Sequence, residues 1–120
     1  MTHDDANRWL QAYVQAWRTY DPTTIGDLFS DAATYRYHPW DEPLEGRDAI
    51  VADWLDAKDD PTTWDAAYEA WAVEGDRVVA TGVSRYDDGT TKSVFHNVFL
   101  LTFDADGRCS EFSEVFAKES

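Results

Sequence analysis

A lone histidine, His38, ends an extended run and abuts Pro39 in Thr34-Tyr-Arg-Tyr-His-Pro-Trp-Asp-Glu-Pro-Leu-Glu-Gly46. An imidazole titrates near neutral pH, so one set among Tyr35, Tyr37 and Trp40 suits proton transfer at the mouth of an aromatic pocket. Tyr13 offers a hydroxyl from within an apolar helical stripe, and Glu114 a carboxylate from near the chain end. Glu111 and Glu114 flank Phe112, so they need not point the same way, and one of them is expected in solvent. Metal chemistry has no support. His3, His38 and His96 are scattered, and no His or Cys pair has ligand spacing. A Gly-rich phosphate loop and a Gly-x-Ser-x-Gly elbow are both missing. Asp87-Asp88-Gly89 and Asp104-Ala105-Asp106-Gly107 lack the twelve-residue calcium pattern with its terminal Glu, and read as turns. Any chemistry is therefore expected to need no cofactor.

The chain of 120 residues has the length of one domain, 1–120. Its 18 aromatics exceed what a minimal core needs, which leaves some to line a cavity or an interface. The net charge of −14 repels phosphate backbones and anionic lipid, so neither nucleic acid nor a membrane surface is an expected partner. Such acidity reads as a solvated surface that keeps the protein soluble, one suited also to a salty cytoplasm. Cys109 is the only cysteine, which forbids an intrachain disulfide and fits a reducing compartment as a small core residue. With no basic, apolar leader and no long apolar run, the expected location is cytoplasmic.

Positioning of these groups falls to helices first and strands afterwards. From Asp5 to Tyr20, Trp9, Leu10, Tyr13, Val14, Ala16 and Trp17 gather on one helical face. Asp21-Pro22-Thr23-Thr24 reads as a cap with proline at the first helical position, opening a short helix that turns Ile25, Leu28 and Phe29 inward. A strand through Tyr37 follows, and Pro39 and Pro43 keep the next segment extended or turned as far as Gly46. A third helix over about Arg47 to Lys58 buries Ile50, Val51, Trp54 and Leu55 before Asp59-Asp60-Pro61 stops it. Four strands are expected at about Thr63–Val73, Arg77–Tyr86, Thr91–Phe103 and Arg108–Ala117, joined as an antiparallel meander by Gly- and Asp-rich turns. In the third of them Phe95, Asn97, Phe99, Leu101 and Phe103 share one face, and Val94, His96, Val98 and Leu100 the other. Helices are expected to cover the first face and a second subunit the other. His96 reads as a residue of that sheet or interface.

Three helices followed by a long curved antiparallel sheet resemble the nuclear transport factor 2-like superfamily, and within it the SnoaL-like group, over essentially the whole chain. The echoes are Asp21…Leu28-Phe29-Ser-Asp-Ala-Ala-Thr-Tyr35, Pro39…Gly46-Arg-Asp-Ala-Ile50, Phe103-Asp-Ala-Asp-Gly-Arg108 and Glu111-Phe-Ser-Glu-Val-Phe116. The resemblance implies a cone-shaped α+β fold, with three N-terminal helices packed on a strongly curved antiparallel sheet that encloses a pocket. This scaffold hosts isomerases, cyclases, dehydratases, epoxide hydrolases and members that only bind, so function must come from the site.

Compared with ketosteroid isomerases, Tyr13 matches the tyrosine of the first helix and His38 the catalytic aspartate before the loop proline. The His38 match needs one extra residue in Thr34–His38, so Tyr37 is an alternative for the inward position. Where those isomerases keep a buried acid to share the oxyanion, this chain has Phe99, and a phenyl ring cannot donate that hydrogen bond. Dehydratases and cyclases on the scaffold combine histidine, tyrosine and a carboxylate, which His38, Tyr13, Tyr35 and Glu114 would supply. The Asp-Arg-Asp arrangement of limonene epoxide hydrolases has no clear counterpart beyond a weak candidate in Arg85.

Two classes follow. One is a small cofactor-independent isomerase, cyclase or dehydratase acting on an apolar or aromatic metabolite, with His38 as acid–base group and Tyr13 as hydrogen-bond donor. The other is a non-catalytic homodimeric module for ligand binding or assembly. In both, Trp17, Tyr35, Tyr37, Trp54, Asn97, Phe99, Glu114 and Phe116 are the expected pocket walls, and the homodimer forms through the outer sheet face.

Overall fold

The computed structural model describes residues 1–120 as three helices and a single six-stranded sheet. Helix α1 spans His3–Thr19. Its start is set by Thr2, whose hydroxyl accepts the Asp5 N–H at 3.0 Å while the Asp5 carboxylate accepts the Thr2 N–H at 3.2 Å. This reciprocal cap satisfies two backbone donors that a helix start leaves open. Helix α2, Pro22–Asp27, is capped by Asp21, whose Oδ1 accepts from the N–H groups of Thr23 and Thr24 at 2.9 and 3.0 Å.

The strands are β1 (Phe29–Arg36), β2 (Leu44–Glu45), β3 (Trp64–Glu74), β4 (Arg77–Asp87), β5 (Lys92–Phe103) and β6 (Cys109–Lys118), with helix α3 (Arg47–Asp56) between β2 and β3. Their spatial order is β2-β1-β6-β5-β4-β3. Strands β3 to β6 form the antiparallel meander expected from the turns. Strand β1 instead runs parallel to β6, a pairing between segments about 80 residues apart, as in Phe29 opposite Cys109. The proline-bearing loop returns through β2 to pair antiparallel with β1, a short strand where the prolines predict only an extended or turned segment. Helix α3 also ends two residues before the expected Lys58, because Ala57 leaves the helical region at φ −133° and ψ 63°. The sheet is curved and unclosed, and the helices pack on it, α1 against β3 and α3 against β1. None of the helices is long and apolar enough to cross a membrane.

Alternation along each strand divides the two faces of the sheet. Phe99, Leu101, Phe103 and Phe112 point into the core with Trp9, Leu10, Ile25, Phe29 and Ile50. Cys109 is buried among them, and its thiol donates to the Glu111 carbonyl at 3.1 Å. Burial pushes that thiol far above its ordinary range, so it packs as a small apolar residue.

Candidate functional site

The α1 stripe grades from core to cavity. Trp9, Tyr13 and Trp17 lie four residues apart and therefore on one helix face. At one end Trp9 packs edge-on against Phe29 and Phe103 and donates its indole N–H to the Leu28 carbonyl at 3.0 Å. Beyond Tyr13 the helix and sheet diverge around a cavity of about 450 Å³. Tyr13, Tyr35, Trp54, Ser84 and Asn97 are buried residues along it, while Tyr37, Asp59 and Phe116 are exposed at its open side. All six tyrosines of the chain line it, together with Trp17, Trp54, Phe95 and Phe116.

The walls are held by hydrogen bonds from neutral donors. The Tyr13 and Tyr35 hydroxyls pair at 3.2 Å. Tyr35 stacks on Phe112 at 4.2 Å between ring centroids, and Tyr13 stacks on Phe112 at 5.6 Å. The Tyr37 hydroxyl donates to Asp53 Oδ2 at 2.6 Å and the Trp17 indole N–H to Asp59 Oδ2 at 3.1 Å. Trp17 is further fixed by stacking on Trp64 at 3.6 Å. Tyr20, the C-cap of α1, sits in the left-handed region at φ 52°, an uncommon place for a bulky side chain. There its hydroxyl accepts the Asp59 N–H at 2.8 Å, which ties the end of α1 to the segment after α3.

From the sheet come Ser84, Asn97 and Glu114. Ser84 Oγ donates to Asn97 Oδ1 at 2.9 Å, and Asn97 Nδ2 donates to Glu114 Oε2 at 2.6 Å, a relay that crosses three strands. Burial raises the Glu114 carboxyl above the usual carboxylate range, opposed by the Asn97 hydrogen bond and by the charge of His38. Burial also pushes Tyr13 and Tyr35 far above their ordinary value and Tyr86 up to about 12. These phenols accordingly stay protonated near neutral pH and act as hydrogen-bond donors.

Of the residues expected at a pocket, Tyr13, Trp17, Tyr35, Tyr37, Trp54, Asn97, Glu114 and Phe116 all lie along this cavity. Phe99 does not: it is beneath the floor, 4.7 Å from the Tyr68 ring and 5.4 Å from the Tyr13 ring. Nor does His38. Tyr37 takes the inward place, and the His38 ring sits behind Phe116 at 5.3 Å, stacked on Trp40 with Nδ1 3.0 Å from Asp41 Oδ2. Strand β1 ends at Arg36, so side-chain alternation no longer governs where His38 points. Glu111 is exposed, as one of the two glutamates was expected to be.

Tyr20, Tyr68, Tyr86, Asp53 and Asp59 also line the cavity and were not singled out from sequence. A signal existed for two of them, since Tyr86 lies two residues from Ser84 on one strand face and Asp53 is adjacent to Trp54. Arg85 is exposed, and no arginine lines the cavity, so an arginine-bridged pair of aspartates is not formed there. His96 is exposed and sits 2.8 Å from Glu119.

Three solved structures share this architecture. An LEH-like epoxide hydrolase from M. tuberculosis matches with a TM-score of 0.71 and 15% identity over 96% of this chain and 84% of that one. A nuclear transport factor 2-like protein of unknown function from Burkholderia xenovorans gives 0.73 and 17% over 98% and 86%. A ketosteroid isomerase-like protein from Erwinia carotovora gives 0.66 and 18% over 98% and 96%. At these identities the likeness is one of fold. No curated protein matches the chain in sequence. The family model for the SnoaL-like domain, however, matches residues 10–112, from the middle of α1 to Phe112 of β6, and the chain belongs to the SnoaL-like family.

Proposed function

We propose that the cavity binds a small organic molecule and catalyses cofactor-independent proton transfer on it, as in an isomerisation or the loss of water. The observation that carries this reading is Glu114, a carboxyl raised by burial, tied to Asn97 at 2.6 Å and facing a cavity walled by protonated tyrosines. A carboxylate moved toward neutral pH exchanges protons more effectively than an ordinary one, and tyrosine hydroxyls stabilise charge that develops on an oxygen. Proton transfer is assigned to Glu114 rather than His38 because Glu114 lines the cavity. His38 acts on it from behind Phe116, its positive charge favouring the carboxylate form.

The test is hydrogen–deuterium exchange beside the carbonyl of a panel of cyclic ketones in D2O, followed by proton NMR. Glu114→Gln is expected to slow enzyme-dependent exchange by roughly 10²–10⁴-fold, the usual loss with a general acid or base. His38→Gln is expected to shift the pH profile with a smaller loss. A large loss with His38→Gln and none with Glu114→Gln would return the acid–base role to the imidazole. Ligand binding without exchange would favour the non-catalytic module.

We propose separately that the protein forms a homodimer through the outer face of the sheet. That face exposes Leu100 and Val115 at 45% and 41%, and in the register Val115 stands directly opposite Val98.

A further inference from the structure

The cavity carries an unbalanced charge. Asp53, Asp59 and Glu114 line it, from helix α3, the segment after it and strand β6, and no Lys, Arg or His lines it with them. None of the three carboxylates has an ion-pair partner. Their hydrogen bonds come from neutral donors, the Tyr37 hydroxyl, the Trp17 indole and the Asn97 amide. Of the nearby basic groups, Arg18 lies over Trp64 and pairs with Asp65, the His38 ring is beside Asp41, and Lys58, which does not itself line the cavity, sits over the Tyr20 ring at 5.9 Å from its centroid. Between the carboxylates the wall is aromatic, with ten rings turned toward a volume of about 450 Å³.

Aromatic faces carry negative potential and attract a cation within about 6 Å of the ring centroid, most strongly where water is excluded. A carboxylate in a partly enclosed site does the same at longer range. An anionic ligand would meet three like charges and no cation, and a neutral one would leave the field unused. From this combination we propose that the cavity takes an organic cation, a protonated amine or quaternary ammonium joined to an apolar body, with the positive nitrogen seated among the aromatic rings near Glu114 and Asp59. The proposal rests on the reading of the cavity as a small-molecule site and names the class of molecule. It also supplies what proton abstraction here would otherwise lack. When Glu114 takes the proton, the enolate left behind still faces the Asp53 and Asp59 carboxylates with only tyrosine hydroxyls to stabilise it, whereas a substrate carrying its own positive charge passes through a net-neutral zwitterion.

The experiment compares three probes of similar size, benzyltrimethylammonium, benzyl alcohol and benzoate, by NMR titration of the tryptophan indole N–H signals. Benzyltrimethylammonium is expected to bind on the order of tenfold or more tighter than benzyl alcohol, with benzoate weakest. The exposed-side variant Asp59→Asn and the inner variant Glu114→Gln should each weaken the cation several-fold and leave benzyl alcohol unchanged, with far-UV circular dichroism checking the fold. Equal or tighter binding of the neutral probe at the same indoles would overturn the cation proposal and leave the small-molecule site intact. Failure of all three probes to perturb Trp17 and Trp54 at millimolar concentration would overturn both.

Discussion

Glu114 also records its burial in the stability of the protein. Its carboxyl is raised from a reference value of 4.5, so the folded state holds the proton more tightly than the unfolded chain does. For an acid shifted in this direction the stabilising contribution is complete below 4.5 and fades as pH rises through the folded value. Glu114→Gln, which has no charge to bury, should therefore gain stability relative to the natural protein as pH climbs from about 4.5 toward neutrality. Chemical denaturation across that window measures it, and parallel curves for the two proteins would refute the assignment. The tyrosines facing Glu114 do not obscure the comparison, because they are shifted upward and stay neutral throughout. His38 itself shows the limit of a reading by residue type. Its identity and its proline neighbour suggested a catalytic base, but a side chain beyond the last paired residue of a strand takes its direction from contacts such as Trp40 and Asp41, which no periodicity encodes.

Elements were far more legible than the site. The α1 stripe, the Asp21 cap and the three hairpin turns each depend on residues close in sequence, and each stands where local chemistry put it. The parallel pairing of β1 with β6 joins residues such as Tyr35 and Phe112 across most of the chain, and nothing local announces it. The role of Gly82 was equally hidden. A Cβ built there would lie 2.2 Å from the Ala67 carbonyl oxygen and 2.3 Å from Tyr68 Cδ1, so the missing side chain is what lets Tyr68 lie against β4 on its way to the cavity. Gly82→Ala must push β3 and Tyr68 outward, and the expected cost is about 1–3 kcal/mol in urea denaturation, the range for overpacked sites. It should also disturb probe binding in the cavity. Asp21→Ala provides the contrast, removing two cap hydrogen bonds for about 1 kcal/mol while leaving the cavity and its ligands unaffected.

At the scale of the whole molecule, 24 acidic side chains against ten basic ones make almost every surface repel a second copy. The outer face of the sheet is the exception. Three consecutive cross-strand rows, Val79–Leu100–Ser113, Thr81–Val98–Val115 and Val83–His96–Ala117, contain no carboxylate. An apolar strip with carboxylates only at its margins, Glu69 opposite Thr81 and Glu119 against His96, is where identical chains on so acidic a protein can approach with the least charge repulsion, and burying it against its own copy satisfies the self-complementarity that a two-fold interface demands. Because the contact is apolar, the dimer is expected to persist as salt is raised, and screening of the surrounding carboxylates should tighten it. Leu100→Glu places a charge on the middle strand of the strip, on a side chain already 45% exposed, so the fold should survive while the dimer does not. Sedimentation velocity at micromolar concentration reads both outcomes, and a natural protein that sediments as a monomer at low and high salt alike would remove the dimer from the proposal.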